Sequence, residues 1–408
     1  MADLYLAELC ANFPAVMITG ARAAGKTTTA AQHVEQIVRL DQPGVAAAYR
    51  ADPDAALRRA ARPVLLDEWQ EVPEVLAAIK RSVDRDATPG QFVLTGSVRA
   101  QLGNETWAGT GRIVRMSMYP LVERELRPRL DLGRSSFLAR LTSSGVDELI
   151  VPPDAPTIDD YVAMAVRGGF PEVAYRERSQ RAQTTWLTSY LDDLVTRDAA
   201  AFDAAKDPVK LRRYLNVLAL NNAGSPSDAT LYRAADVNAK TAAGYDQLLR
   251  NLFVLDVVPA WANNRLNRLV KQGKCYMVDS GLAAAAAGLD APTILGDGAL
   301  LGRCFDAFAA AQLRSEMALS QPRPAFHHLR DDGGRREVDL VVELGAEKVI
   351  GLEFKAGSAP AEGDAKHLFW LRDKLGNDFT AGVVIHSGPA VYELGDRVYA
   401  VPLCAVWS

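Results

Sequence analysis

The chain has 408 residues, which at about 150 residues per domain predicts two to three domains rather than one. Hydrophobic residues make up 49% and charged residues 24%, a globular composition that excludes collagen-like and low-complexity chains. The net charge of -4 excludes a uniformly basic protein that would coat DNA or anionic lipid, so any basic surface must be local.

The four cysteines and the N-terminus bear on the compartment. Cys10, Cys275, Cys304 and Cys404 are scattered, which argues against a disulfide framework or a structural zinc site. The first residues carry acids where a secretory signal would be basic, and no apolar run approaches about 18 residues. We therefore expect a soluble protein of a reducing compartment, most simply the cytoplasm, with no membrane partner.

The first third of the chain alternates between two patterns. An apolar run at residues 15–19 leads into a Gly-rich turn, and residues 26–39 then follow with a helical period. Further short apolar runs recur with helical patterns between them, at residues 63–66, 92–95 and 113–118. This alternation is typical of an open parallel sheet covered by helices, and it predicts an α/β domain over residues 1–130.

Three further domains are expected. Helical periods predict a helical region over residues 150–220, and helices followed by a strand pair predict a winged helix-turn-helix over residues 221–290. A second α/β domain is expected over residues 295–408. Its predicted elements are a helix at 301–317, strands at 337–343, 349–354 and 381–386, and a helix at 364–375.

Residues 20–27 read GARAAGKT and match the phosphate-binding loop G-x-x-x-x-G-K-[ST] between a predicted strand and a predicted helix. The glycines allow backbone N–H groups to surround phosphate oxygens at a helix N-terminus. Lys26 would reach the β- and γ-phosphates of ATP, and the Thr27 hydroxyl would bind Mg²⁺. The residues predicted to bind nucleotide here are Gly20, Ala21, Arg22, Ala23, Ala24, Gly25, Lys26, Thr27 and Thr28.

A nearby apolar run ends in two acids, Asp67 and Glu68. We expect Asp67 to hold Mg²⁺ and Glu68 to orient and deprotonate the attacking water. Taken alone, the run also fits a strand that enters a solvated loop. With the phosphate loop beside it, it predicts a nucleotide hydrolysis site.

Polar residues after the third strand and before the last are weaker candidates. Thr95 or Ser97 could sense the γ-phosphate, because open α/β sheets bind ligands at the carboxyl ends of their strands. A plain turn or helix cap explains Ser97 equally well. Arg112 could stabilise phosphate charge within the chain or in a neighbouring subunit, although a surface arginine explains it too.

The motifs ITGARAAGKT, LLDEWQEVPEV, FVLTGSVR, TGRIVRMSMYPLVERE and GGFPE together resemble the prokaryotic AAA-type ATPases that carry an uncharacterised C-terminal nuclease-like domain. The resemblance spans nearly the whole chain. It implies a P-loop sheet of the RecA/AAA type, with residues 20–27, Asp67, Glu68 and the polar residues after FVLTGS as nucleotide-site positions.

The segment EVDLVVELGAEKVIGLEFK, residues 337–355, predicts a hairpin centred on Ala346. Its register would place Asp339 opposite Glu353, about 5 Å apart, with Lys355 on the same side. Such carboxylates can hold a divalent cation, and the lysine can position a water that attacks a phosphodiester. The other face would be apolar, with Val341 and Val349 as exceptions; its members would be Val338, Leu340, Val342, Ile350, Leu352 and Phe354.

This arrangement resembles the PD-(D/E)xK nucleases. The resemblance implies a further acid from an upstream helix, for which Asp306 is the candidate, although the family more often has Glu there. Asp306, Asp339 and Glu353 would then be metal ligands. Two alternatives remain: a hairpin with charges facing solvent, and a degenerate nuclease fold that only binds.

The predicted winged helix carries local positive charge. Residues 221–274 hold seven Lys or Arg and four Asp, a balance of +3 that leaves -7 elsewhere. The predicted wing at residues 263–274 carries only basic charges, at Arg265, Arg268, Lys271 and Lys274, which suits phosphate contacts. Packing or self-association is the alternative use of such a fold.

Three hypotheses follow for the whole chain. The first is an ATP-hydrolysing AAA-type enzyme whose C-terminal part binds DNA. The second is a regulatory scaffold in which ATP changes the conformation presented to a protein partner or to another copy of the chain. The third is a metal-dependent DNA nuclease gated by ATP.

Overall fold

The structure is a computed structural model. It describes residues 1–96, 111–127, 135–143, 145–176, 178–199, 207–226, 228–261, 273–317, 320, 323–330, 335–345 and 348–408. Two compact units form. Unit 1 comprises Met1–Pro120, Phe170–Glu172 and Gln247–Val254, and unit 2 comprises Leu121–Gly169, Val173–Asp246 and Leu255–Ser408.

The regular elements follow in chain order. The helices are α1 Ala2–Asn12, α2 Lys26–Ala31, α3 Pro43–Ala51, α4 Pro53–Arg59, α5 Val75–Arg85, α6 Glu123–Leu126, α7 Phe137–Ser143, α8 Ile158–Arg167, α9 Pro171–Ala174, α10 Gln180–Asp193, α11 Pro208–Leu220, α12 Asp228–Ala235, α13 Ala239–Asn251, α14 Ser280–Ala287, α15 Ala291–Gly296, α16 Gly298–Glu316 and α17 Lys366–Leu375. The strands are β1 Ala15–Thr19, β2 Gln36–Arg39, β3 Val64–Asp67, β4 Phe92–Gly96, β5 Val114–Ser117, β6 Leu255–Val258, β7 Lys274–Met277, β8 Ala325–Arg330, β9 Glu337–Leu344, β10 Lys348–Lys355, β11 Phe379–His386, β12 Tyr392–Gly395 and β13 Val398–Pro402. Within the described ranges, none of the helices has the length and apolar character needed to cross a membrane.

Unit 1 contains a five-stranded sheet in the order β2-β3-β4-β1-β5. Every pair in it is parallel, which confirms the predicted parallel α/β sheet. Strands β1, β3 and β4 are buried along their length because apolar clusters cover both faces of the sheet. Their registered carboxyl ends lie side by side, with Asp67 opposite Thr95 and Thr19 opposite Gly96.

The helix expected over residues 26–39 is wrong in its second half. Helix α2 ends at Ala31, and residues 36–39 form the edge strand β2 instead. Strand β2 pairs in parallel with β3, and the amides of Glu35 and Gln36 both donate to the carbonyl of Pro63. Pairing with a distant strand therefore overrides the local helical period.

The middle of unit 2 is helical, as predicted. The elements expected for the winged helix occur in the expected order: α12, α13 and the antiparallel pair of β6 and β7. The segment that connects the two strands, residues 262–272, lies outside the described residues. The winged-helix interpretation and the division into four domains remain predictions.

Unit 2 ends in a six-stranded mixed sheet in the order β12-β13-β11-β10-β9-β8. Strands β9 and β10 pair in the predicted hairpin register, from Lys348 opposite Leu344 to Leu352 opposite Leu340. The predicted exceptions, Val341 and Val349, are buried on the other face of the sheet, where α17 covers them.

One residue of the predicted apolar face is misplaced. Val338 packs with Val341 beneath α17, whereas Leu340 packs on the face covered by α16. The cause is a bulge, because His327 pairs with Val341 while Leu329 pairs with Val338. The extra residue lies between Val338 and Val341, and such bulges redirect side chains. Asp339 is one of the residues it redirects.

A buried ion pair stabilises unit 2, and breaking it should be costly. Arg124 donates to Glu316 at 2.7 Å, and Glu316 also accepts the amide of Phe137 at 2.6 Å. Their side chains are 3% and 1% exposed. Because Arg124→Met removes the hydrogen-bonded counter-charge of the buried Glu316, we expect it to lower the free energy of unfolding by about 3–5 kcal/mol. Urea-induced unfolding at neutral pH measures this.

Arg212→Met is the matched control, because its partner Asp192 is 65% exposed and exposed pairs contribute at most about 1 kcal/mol. Equal losses in the two variants would contradict the prediction.

Candidate functional site

The phosphate loop joins β1 to α2 in the backbone shape that its motif requires. Gly25 caps α2 in a left-handed conformation, with φ of 96°. A Cβ on Gly20 would lie 2.1 Å from the carbonyl oxygen of Met118, so only glycine fits there. The first amides of a helix have no partner within it, and they point out of the N-terminus. The loop can therefore bind an anion.

Lys26 is buried at the base of this loop. Its Nζ donates to the carbonyls of Gly20 at 3.1 Å and Ala21 at 2.8 Å. Burial lowers the pKa of Lys26 to about 8, although the neighbouring carboxylates of Glu68 and Asp67 raise it in part. A bound phosphate would supply the negative charge that this buried ammonium lacks.

Three side chains meet at the carboxyl edge of the sheet. Thr27 donates its hydroxyl to Asp67 Oδ1 at 2.8 Å, and Thr95 donates to the same oxygen at 2.5 Å. Thr95 and Asp67 are buried. Hydroxyl and carboxylate oxygens are the ligands that Mg²⁺ prefers, so the donor set fits the predicted magnesium position. Thr95, expected as a candidate phosphate sensor, contacts Asp67.

Glu68 follows Asp67 in a left-handed conformation, with φ of 53°, which is rare for a residue other than glycine. The side-chain amide of Gln70 donates to Glu68 Oε2. Gln70 Oε1 and Trp69 Nε1 are buried, and within the described part of the chain neither has a hydrogen-bond partner. The turn after β3 therefore holds the Glu68 carboxylate through Gln70, a contact that the sequence analysis did not identify.

Arg112 does not lie at this edge. It precedes β5, and β5 runs parallel to β1, so Arg112 lies at the amino ends of the strands, opposite the phosphate loop. Its Nε forms an ion pair with Asp84 at 2.8 Å. A role for Arg112 on a nucleotide bound by the same chain does not fit this position, and a role on a neighbouring subunit remains a prediction.

Two other expected positions, Ser97 and the segment GGFP, have different outcomes. Ser97 lies outside the described residues. The segment GGFP lies partly against the phosphate loop: a Cβ on Gly25 would lie 3.6 Å from Cγ of Pro171. In unit 2, the amide of Gly169 donates to the buried carboxylate of Asp279 at 2.7 Å.

A second group of polar residues lies in unit 2, and we name it the carboxylate cluster: Lys274, Tyr276, Asp306, Asp339 and Glu353. Asp306 comes from α16, Asp339 from β9 and Glu353 from β10. The β9–β10 ladder stops at Leu352 opposite Leu340, and Asp339 Oδ2 instead accepts the amide of Phe354 at 3.0 Å. Lys355 Nζ lies 3.8 Å from Glu353 Oε2.

The expected role of Lys274 in the wing is wrong. Its side chain is buried in the carboxylate cluster, where Nζ donates to Asp306 Oδ2 at 2.6 Å and Asp339 Oδ1 at 2.9 Å. It therefore contacts carboxylates rather than phosphates. Arg265, Arg268 and Lys271, its companions in the predicted wing, lie outside the described residues.

Burial and charge together set the protonation of the cluster. Burial raises the pKa of Asp306 to about 7, against the pull of Lys274. Burial and the neighbouring Asp339 raise the pKa of Glu353 well above its usual range. Burial opposes the charge of Lys274, but Asp306 and Asp339 outweigh it and raise the lysine pKa well above normal. The ammonium is therefore the stable cation of the cluster.

The residues predicted as C-terminal metal ligands lie around a buried lysine instead of an open cation position. Among the residues that the structure describes, no three His, Cys, Asp or Glu side chains are arranged to hold a metal ion. At the cluster, the position between Asp306 and Asp339 belongs to Lys274. Neither Lys274 nor Tyr276, whose hydroxyl donates to Asp306 Oδ1 at 3.0 Å, was expected there. Only the strand-like run KCYM marked them in the sequence.

Comparison with known protein families divides the chain into three parts. Residues 12–127, which include the phosphate loop, match the model of an AAA domain. Residues 158–293 and 301–406 match two domains of unknown function, DUF8612 and DUF4143 respectively.

Two uncharacterized mycobacterial proteins, one from Mycobacterium bovis and one from Mycobacterium tuberculosis, resemble the chain over most of its length. Each is 28% identical over 401 residues, which cover 95% of this chain and 80% of the relative. Among solved structures, a Walker-type ATPase of Pyrococcus abyssi aligns with a TM-score of 0.41 and 13% identity. That alignment covers 70% of this chain and 94% of the other.

The Thr95 hydroxyl should stabilise unit 1 at the carboxyl edge of its sheet. Because Thr95→Val removes a donor to a buried carboxylate while conserving shape, we expect a loss of about 1.5–3 kcal/mol in the free energy of unfolding. Thr95→Ser retains the hydroxyl and should recover most of that loss. Thermal and urea unfolding of both variants at pH 7 provide the measurement, and equal stability of the Val and Ser variants would show that the hydroxyl is unimportant.

Proposed function

We propose that the N-terminal unit binds ATP with Mg²⁺ and hydrolyses it. The observation that carries the proposal is the meeting of Lys26, Thr27, Asp67 and Thr95 at one edge of the parallel sheet, beside a phosphate loop of the required backbone shape. The match of residues 12–127 to an AAA domain supports the same activity.

Each residue of the site has a role that follows from its chemistry. The loop amides and Lys26 bind the phosphate oxygens, and Lys26 exchanges its bonds to the carbonyls of Gly20 and Ala21 for bonds to the nucleotide. Glu68 accepts a proton from the attacking water, and Gln70 holds the carboxylate that does so. Thr27 and Asp67 would hold Mg²⁺, which supplies charge neutralisation on the β- and γ-phosphates when bound.

The C-terminal part is better suited to binding than to cleavage. A metal-dependent nuclease needs a cation between its carboxylates, but Lys274 fills that position in the described structure. This observation favours the alternatives without cleavage: an ATPase coupled to DNA binding, or an ATP-switched scaffold for a protein partner. DNA binding rests on the predicted basic wing and remains a prediction, as does self-association.

Turnover of ATP tests the proposal directly. We expect Lys26→Ala to abolish ATP binding and hydrolysis, because it removes the buried cation of the loop. Glu68→Gln should retain ATP binding but lower kcat by about 10²–10⁴-fold, since it removes a general base. Phosphate release at saturating Mg²⁺ and ATP, with nucleotide binding measured in parallel, separates the two effects.

The matched controls are Lys80→Ala on α5 and the exposed Glu71→Gln three residues beyond Glu68. Both should retain wild-type turnover. ATP hydrolysis that persists in Lys26→Ala would overturn the assignment of the loop.

The affinity for ATP should depend on pH through Lys26. The free protein has a lysine pKa lowered to about 8 by burial, and the phosphates favour the ammonium. Above that pH the protein must take up a proton to bind, so the affinity should fall by about tenfold per pH unit. Calorimetric titration with ATP between pH 7.5 and 9.5 measures it. Lys26→Arg, which stays charged, should bind with a flatter dependence, and a flat profile for the wild type would contradict the account.

A further inference from the structure

The carboxylate cluster of unit 2 contains its own cation. Lys274 is only 1% exposed, and both of its ion-pair partners are carboxylates. Its Nζ contacts one oxygen of Asp306 and one of Asp339. At a site buried away from water, a lysine ammonium and a bound divalent cation would repel each other strongly. The two therefore compete for the same place.

The remaining oxygens of the two aspartates are also engaged. Asp306 Oδ1 accepts the hydroxyl of Tyr276 at 3.0 Å, and Asp339 Oδ2 accepts the amide of Phe354 at 3.0 Å. A divalent cation such as Mg²⁺ needs near-octahedral oxygen ligands at about 2.0–2.1 Å. The aspartates instead lie at hydrogen-bonding distances from a lysine, a tyrosine and a backbone amide.

Glu353 adds an independent observation. Its Oε1 is buried and has no hydrogen-bond partner among the residues that the structure describes, while His367 Nδ1 lies 3.8 Å away. An unsatisfied carboxyl oxygen in the interior is costly. The cluster therefore retains a third oxygen that Lys274 does not contact. A metal ion, which needs more ligands than a lysine ammonium, could bind this oxygen.

We propose that Lys274 is a built-in monovalent cation that occupies the divalent-cation position formed by Asp306, Asp339 and Glu353. The native protein therefore binds no Mg²⁺ or Mn²⁺ there. Replacing Lys274 by a small residue opens a divalent metal site. This inference is independent of the proposed ATPase activity, because it concerns only unit 2.

Mn²⁺ binding to the full-length chain tests the inference. Free Mn²⁺ is measured by electron paramagnetic resonance, and thermal unfolding is followed with and without Mn²⁺. Every protein also carries Asp67→Asn, so that metal held at the phosphate loop does not contribute. The variants are Lys274→Ala, Asp339→Asn, the two changes combined, and Lys348→Ala as a matched control, because Lys348 is an exposed lysine of the same sheet.

The inference predicts no Mn²⁺ binding at the cluster in the Asp67→Asn parent or in the Lys348→Ala control. Lys274→Ala should bind one Mn²⁺, with a Tm that rises by about 5 °C when the metal is in hundredfold excess over its Kd. The additional Asp339→Asn change should abolish both effects.

Two results would overturn the inference. The first is Mn²⁺ binding by the parent protein that is lost on Asp339→Asn, since Lys274 would then yield its place to the metal. The second is a folded Lys274→Ala protein that ignores Mn²⁺. If Lys274→Ala does not fold alone, it is refolded with Mn²⁺ present: recovery that depends on Asp339 supports the inference. In that case Lys274→Gln replaces it in the binding measurement. A folded Lys274→Gln protein that still excludes Mn²⁺ then counts as the second result, because bulk rather than charge would keep the metal out.

Discussion

The parallel register of β3 and β4 is the constraint on which the arrangement of side chains at the carboxyl edge of the unit 1 sheet depends. It places Asp67 directly beside Thr95, and the phosphate loop after β1 brings Thr27 to the same carboxylate oxygen. Three side chains that are far apart in the sequence thus meet through strand pairing and the loop after β1. Because the strands are buried on both faces, close packing determines where the ends that carry these side chains lie.

Unit 2 places three carboxyl groups close together, those of Asp306, Asp339 and Glu353. Asp306 and Glu353 are buried there and the Asp339 side chain is 17% exposed, and carboxyl groups with so little access to water need a counter-charge or a proton. Lys274 supplies the charge to Asp306 and Asp339, while burial and Asp339 together favour the protonated form of Glu353. The hydrogen bonds of Lys274 and Tyr276 to these carboxylates link β7 to α16 and β9.

Much of the fold could be predicted because its signals are local. The spacing of Gly20, Gly25 and Lys26 identifies the phosphate loop, and the hairpin of β9 and β10 has the expected register. The errors arise where distant contacts decide. Strand β2 forms only because β3 lies beside it, the bulge in β9 moves Val338 to the opposite face, and Lys274 lies 65 residues from its partner Asp339. No local pattern reveals that partner, so a basic residue in a basic segment suggested a DNA contact.

A structure of the intact chain with Mg²⁺ and a non-hydrolysable ATP analogue tests the central claim most directly. The account predicts that the phosphates lie in the loop of residues 20–27, that Lys26 leaves the carbonyls of Gly20 and Ala21 for the nucleotide, and that Mg²⁺ lies near Thr27 and Asp67. A nucleotide bound elsewhere, or a loop in which Lys26 keeps both carbonyl contacts at saturating ligand, would contradict it.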